Sequence, residues 1–408
     1  MIVKHFIPFL IFILPTLLYG QTKYESFLIE NDIYRQAEKG AVLIDYYREN
    51  NVDSLKIISI DLIEFGKRKK NDFAMAIGLN GYGKYAILTG KVESGLICFK
   101  KSLHYFEKQE DYSNVSILLN EIGNAYLLHG EIYNALESFR ISLKVGAHSP
   151  EYTDAFNGEI GMSKCFFALG DTIKGLQLLI GYKNKALMNS KYESAAIASA
   201  YLSTIEQDRD NVKDSQLYLE ESIAYGEKSK SLVQLANSLT NKAILCFQLD
   251  KVDSSLVFFE DALNKRQQLG RPRLIVESYF NLASFYVFNE DYPQAISMIS
   301  ESIELARKNE LLLDEYDGTE LLAYIYEEQN DFENLTLVKQ NMIALSEAKE
   351  KRALIDEEWS NYIESIQLEK IAEPLQNKKK TPSYVWVIIL SIIVVIGVKG
   401  LLKRKTTS

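Results

Sequence analysis

Between Ile122 and Leu143 the apolar residues fall at steps of three and four on either side of a turn. Ile122, Gly123 and Tyr126 form one face, Gly130-Glu131 breaks the run, and Ala135, Phe139, Ser142 and Leu143 form a second face. This spacing predicts two antiparallel helices, with the small residues Gly123 and Ala135 opposed so that the backbones approach closely. The arrangement returns every 40 residues. The first small slot reads Gly83, Gly123, Ser163, Ser203, Ala243, Ala283 and Ala323, and only Leu43 in the first copy is large. The turn slot reads Asn50, Gly90, Gly130, Gly170, Asp210, Asp250, Glu290 and Asn330, mostly residues that end helices or tolerate left-handed backbone. The second small slot is large only in the outermost copies, at Leu55 and Leu335. An apolar slot running from Ile63 to Ile343 is interrupted once, by Lys183. Eight copies in unbroken register predict eight helix pairs stacked side by side.

The order Gly123, Tyr126, Gly130, Ala135, Phe139 resembles the tetratricopeptide repeat. The resemblance implies an all-α, right-handed solenoid of eight 40-residue helix pairs over residues 21–345, with helices longer than those of the common unit of about 34 residues. It also implies a concave groove, lined by the first helix of each repeat, of the kind in which such arrays bind extended peptides. The groove positions of the family correspond here to Asn80, Lys84, Asn120, Asn124 and Lys164. A carboxamide offers both a donor and an acceptor to a peptide bond, and a lysine can hold a carboxylate. The family's full two-carboxylate clamp is not present, and the competing reading is a row of solvated polar residues on an open face.

Two positions break the pattern, Lys183 and the Glu206 that stands where an aromatic is usual. Each marks a local kink in the superhelix or a polar seam used for binding, or, as is expected here, a drifted repeat whose charge snorkels outward. Beyond the eighth copy, Ile355, Trp359, Tyr362 and Ile366 form an apolar stripe. It predicts a further helix over 346–375, either capping the array or forming a short stalk.

The ends of the chain suggest export and anchoring. Residues 1–20 carry Lys4 and His5, then an apolar run to Leu18 and a small residue at Gly20, the pattern of a secretory signal. Residues 376–383 read as a linker and 384–402 as a membrane-spanning helix with Tyr384 and Trp386 as interface anchors. Residues 403–408 would be a cytoplasmic tail. This order places a single-pass protein in a bacterial inner membrane with its solenoid on the periplasmic side. It resembles the sensory half of bacterial envelope proteins in which a histidine kinase or a LuxR-type regulator follows the span.

Charge and composition narrow the chemistry. The 408-residue chain has a net charge of −9. Residues 21–377 hold all the acidic side chains and 38 of the basic ones, a net −17, which argues against nucleic-acid partners. Cys98, Cys165 and Cys246 have neither zinc-site nor disulfide spacing and are expected to pack as small hydrophobes. Beyond the apolar leader, His104, His129 and His148 form no metal or catalytic pair, and no glycine-rich loop has phosphate-binding form. No catalytic, cofactor or metal site is expected, and the chain reads as a non-enzyme. The function expected is a membrane-anchored scaffold that recognises a protein or extended peptide. The alternative is the sensor subunit, or truncated remnant, of a signalling protein whose output domain is a separate chain. The oligomeric state is left open.

Overall fold

The computed structural model describes residues 26–27, 33–148 and 156–368. The expected signal, linker, membrane span and tail lie outside these residues. Within them no helix is long and apolar enough to cross a membrane.

Sixteen helices, and no strand, make up the described residues from 33 onward. They form eight pairs: α1 (Ile33–Asn50) with α2 (Val52–Lys69), α3 (Asp72–Leu88) with α4 (Val92–Lys108), and α5 (Tyr112–Leu128) with α6 (Ile132–Gly146). Next come α7 (Phe156–Ala168) with α8 (Thr172–Met188), α9 (Tyr192–Asp208) with α10 (Val212–Ser229), and α11 (Leu232–Gln248) with α12 (Val252–Leu269). The last two pairs are α13 (Pro272–Phe288) with α14 (Tyr292–Lys308), and α15 (Leu312–Glu328) with α16 (Phe332–Glu364).

The register is finer than 40 residues. A left-handed residue closes helix after helix at half that interval: Lys70, Gly90, Glu110, Gly130, Gly170, Ser190, Asp210, Lys230, Asp250, Gly270, Glu290, Glu310 and Asn330 all have positive φ. The next residue is often an N-cap. Asn51, Asn71, Asp111, Asp171, Asn211, Ser231, Asp291 and Asp331 each accept a hydrogen bond from a backbone N–H of the following turn. Six-residue closures such as Lys91 N to Ala86 O at 2.8 Å and Asp111 N to Phe106 O at 3.1 Å satisfy the carbonyls of the helix just ended. One residue to reverse the chain and one to start the next helix suffice at these positions, so both kinds of turn are tight there; α6 and α7 are nine residues apart in sequence.

The small slots lie opposite one another. A Cβ on Gly95 would come 3.2 Å from the Gly83 carbonyl, Ser203 and Ser215 share a hydrogen bond at 3.0 Å, and Ser255 donates to the Ala243 carbonyl at 2.8 Å. Buried serines of second helices also donate to carbonyls of first helices 26 residues earlier: Ser102 to Ala76, Ser142 to Ser116, Ser222 to Ala196 and Ser302 to Val276. Backbones this close leave no room for a larger side chain, and the hydroxyl is satisfied without water.

The two pattern-breaking charges do not snorkel outward. Lys183 is buried; its ammonium meets Glu221 of the next repeat at 2.6 Å and lies over the Tyr218 ring. Glu206 is also buried, bonded to Arg209 and Asn211 at 2.8 Å each. A buried charge is tolerated when it is paired; the neighbouring repeat supplies the partner for Lys183, and the turn that follows Glu206 supplies its partners.

The helix expected separately over 346–375 is no separate element. Residues 332–364 form one continuous helix, α16, because no Gly, Pro or cap falls between the eighth repeat and the stripe. Trp359, Tyr362 and Ile366 pack on the core of the first repeats rather than over the end of the last one. The array therefore turns back on itself. Asn51 donates to the Asn309 carbonyl at 2.9 Å, Arg271 pairs with Glu49, and Arg352 pairs with Asp53.

Candidate binding cavity

First helices face the inside of the closed turn, and there they line an open cavity of about 950 Å³. Its wall is built from α1, α3, α5, α7 and α9, with Leu269, Gly270 and Arg271 reaching in from the far side of the ring. All five sequence-predicted residues, Asn80, Lys84, Asn120, Asn124 and Lys164, lie on this wall. The 40-residue step brings them together by placing equivalent positions of successive first helices on one side.

Their environments differ. Lys84 is held 3.4 Å from Asp45 on α1, and the Lys164 ammonium sits over the Tyr201 ring at 4.4 Å from its centroid. Asn124 is exposed and Asn120 is buried. The side-chain oxygens of Asn80 and Asn120 are both shut away from solvent, and neither has a hydrogen-bond partner among the described residues. An unmet buried acceptor costs about 1–3 kcal/mol. Rotation of either carboxamide exchanges its oxygen for its NH₂, so each can present a donor or an acceptor to the cavity.

Sequence reasoning missed the rest of the wall. Ile77, Ile117 and Ile197 supply apolar surface at one repeat position, and the 40-residue step could have found them. Arg48, Glu49 and Arg271 could not be found that way, because closure of the ring brings them together. Glu49 accepts from Arg48 at 3.2 Å and also pairs with Arg271. The same trio borders a second cavity of about 550 Å³ that also contains Arg273, Asp314 and Asp317. Burial raises the pKa of both aspartates, and Arg273, 3.9 Å from Asp314, opposes the shift there. No group of three or more potential metal ligands occurs among the described residues.

Residues 276–309, most of α13 and all of α14, match the tetratricopeptide-repeat family model. Residues 276–309 are a tetratricopeptide repeat. The 34 matched residues span the helix pair whose geometry recurs along the array. No protein of curated function matches the chain in sequence. Among solved structures, the apo quorum sensor NprR from B. thuringiensis is 15% identical, with 80% of this chain and 92% of that chain covered at a TM-score of 0.47. NprR in complex with its cognate peptide NprX is 15% identical, covering 79% and 93% at 0.49. A Rap protein complexed with Competence and Sporulation Factor is 14% identical, covering 81% and 91% at 0.49.

Proposed function

We propose that this tetratricopeptide array is a recognition scaffold whose central cavity holds an extended protein segment or peptide, mainly by its backbone. One observation carries the reading: Asn80 and Asn120 stand at equivalent positions of successive repeats on one cavity wall, each with an unmet acceptor. Stacked helices lie about 8–10 Å apart and an extended chain advances about 3.3 Å per residue, so a row of carboxamides meets every third peptide unit or so. Lys84, Asn124 and Lys164 form a second row beside it, one helical turn further along. Ile77, Ile117 and Ile197 give the segment's side chains an apolar surface. In this reading residues 1–20 direct export and 384–402 anchor the chain, holding the array on the periplasmic side of the membrane.

The test is affinity. Peptides captured by the purified chain from an envelope extract are synthesised and titrated against the wild type, Asn120→Ala and Asn124→Ala. Each lost hydrogen bond is expected to cost about 0.5–1.5 kcal/mol with helicity and melting unchanged. Equal affinity in all three proteins would refute the assignment of these residues to a peptide-binding row. For the topology, protease added to spheroplasts should digest the array, and its protection there would refute the placement.

A further inference from the structure

The polar contacts that close the ring converge on the far end of α16. Between Leu345 and Arg352 this helix leaves its own repeat, and most of its side chains are exposed. It then lies across α2, α3 and α4, and there its groups are met one by one. The Asp356 carboxylate, only 2% exposed, accepts from Lys56 at 2.5 Å, Tyr85 at 2.7 Å and Lys91 at 3.0 Å. Tyr82 donates to the Asp356 carbonyl at 3.2 Å. Lys67 donates to the Tyr362 hydroxyl, and Lys101 donates to the Glu364 carbonyl at 3.0 Å at the negative end of the helix. Ile363 is fully buried beneath this network.

We propose that residues 352–366 are a detachable latch: Asp356 bolts the arm to the first two repeats, and releasing it opens the seam that forms one wall of the central cavity. Three features fit a latch better than a fixed core. The arm is carried on an exposed stretch of one continuous helix, so it lifts together with that helix and need not unfold. Its polar contacts are made by charged groups that water can solvate once they part, whereas the apolar face of Trp359, Tyr362, Ile363 and Ile366 holds the arm down and sets the cost of release. The rest of the seam, Asn51 to Asn309 and Glu49 to Arg271, is polar and partly exposed as well. Arg271 and α1 wall the cavity from opposite sides, so parting the seam opens it. None of this depends on what the cavity binds.

The experiment is hydrogen exchange on the full chain, comparing the wild type with Asp356→Ala and Lys91→Ala. The milder Lys91→Ala variant removes one partly exposed partner and guards against misfolding of the other. Arg140→Ala, which breaks an exposed pair far from the seam, is the control. Asp356→Ala is expected to speed exchange at least tenfold in peptides covering 352–366, 49–56 and 266–274, and Lys91→Ala less so in the same peptides. Helices α5 to α10 should keep wild-type protection, and small-angle scattering should show a longer maximum dimension. Unchanged exchange at 352–366 in both variants would overturn the latch. A uniform rise along all repeats would also overturn it, making Asp356 an ordinary core residue.

Discussion

The ring of Phe139 lies so close to Gly123 that a methyl group on the glycine would stand 2.6 Å from Cε1. The ring also abuts Gly161, so one aromatic fills the gap between two repeats. Gly123→Ala is expected to overpack this contact and cost about 1–3 kcal/mol, read as a lower Tm with faster hydrogen exchange centred on repeats two to four. Gly181, in α8, has nothing within 4 Å of the corresponding position. There the same change should stabilise the helix by about 0.5–1 kcal/mol. Equal effects at the two sites would refute the packing account.

Gly130 isolates backbone conformation from packing. Its φ is +81° and a Cβ there would touch nothing within 4 Å. Gly130→Ala should therefore cost about 1–2 kcal/mol from the left-handed conformation alone. The reverse change, Glu290→Gly at φ 58°, should gain roughly 0.5 kcal/mol after the entropy that glycine adds to the unfolded chain. Chemical denaturation of both variants checks the pair.

Asp356 sets a pH dependence with a definite sign. Burial pushes its carboxyl up, but hydrogen bonds from Lys56, Tyr85 and Lys91 outweigh that and bring its pKa below the ordinary 3.8. A depressed folded-state value stabilises fully above the unfolded pKa and is lost as pH falls through the folded one. The ring should thus stay closed at neutral pH and loosen only in acid below about pH 4. Asp356→Asn should abolish that transition in exchange measurements. Asp314 and Asp317 act oppositely. Their raised values favour the protonated form, so they lower stability as pH rises through their titration. Asp314→Asn should raise Tm near neutral pH, with a smaller gain toward pH 4.

Thiol reactivity should sort the three cysteines. Burial raises Cys98 to about 12 and Cys165 to about 11, whereas Cys246 is only half-buried. The thiolate is the reactive form. Maleimide at neutral pH should label Cys246 first and reach Cys98 and Cys165 only on unfolding, as mass mapping would show.

What was legible in the sequence was what repeats locally. Gly90, Gly130 and Gly170 marked three turns, and the small slots marked the helix contacts, because each depends only on a neighbouring helix. The returning turns were harder to see, since Lys70, Glu110, Ser190 and Lys230 adopt left-handed backbone without being glycine. The N-caps that follow, Asn71, Asp111 and Ser231, were the available signal. Asn80, Lys84, Asn120, Asn124 and Lys164 were gathered by register alone. Arg271 and Glu49 were not, because their meeting depends on small rotations summed over several repeats. The stripe at Trp359 and Tyr362 was visible as an apolar face; what it packs on depended on that same accumulated curvature.

Repeat proteins ordinarily lengthen or shorten by duplicating or deleting a unit, because each unit needs only its neighbours. Here Lys56 and Asp356 are 300 positions apart in the chain and must still meet at 2.5 Å. An inserted or lost pair of helices would carry one of them past the other. Closure thus turns an open-ended design into one with a fixed count, and selection on a single carboxylate at one end constrains the number of units between the two.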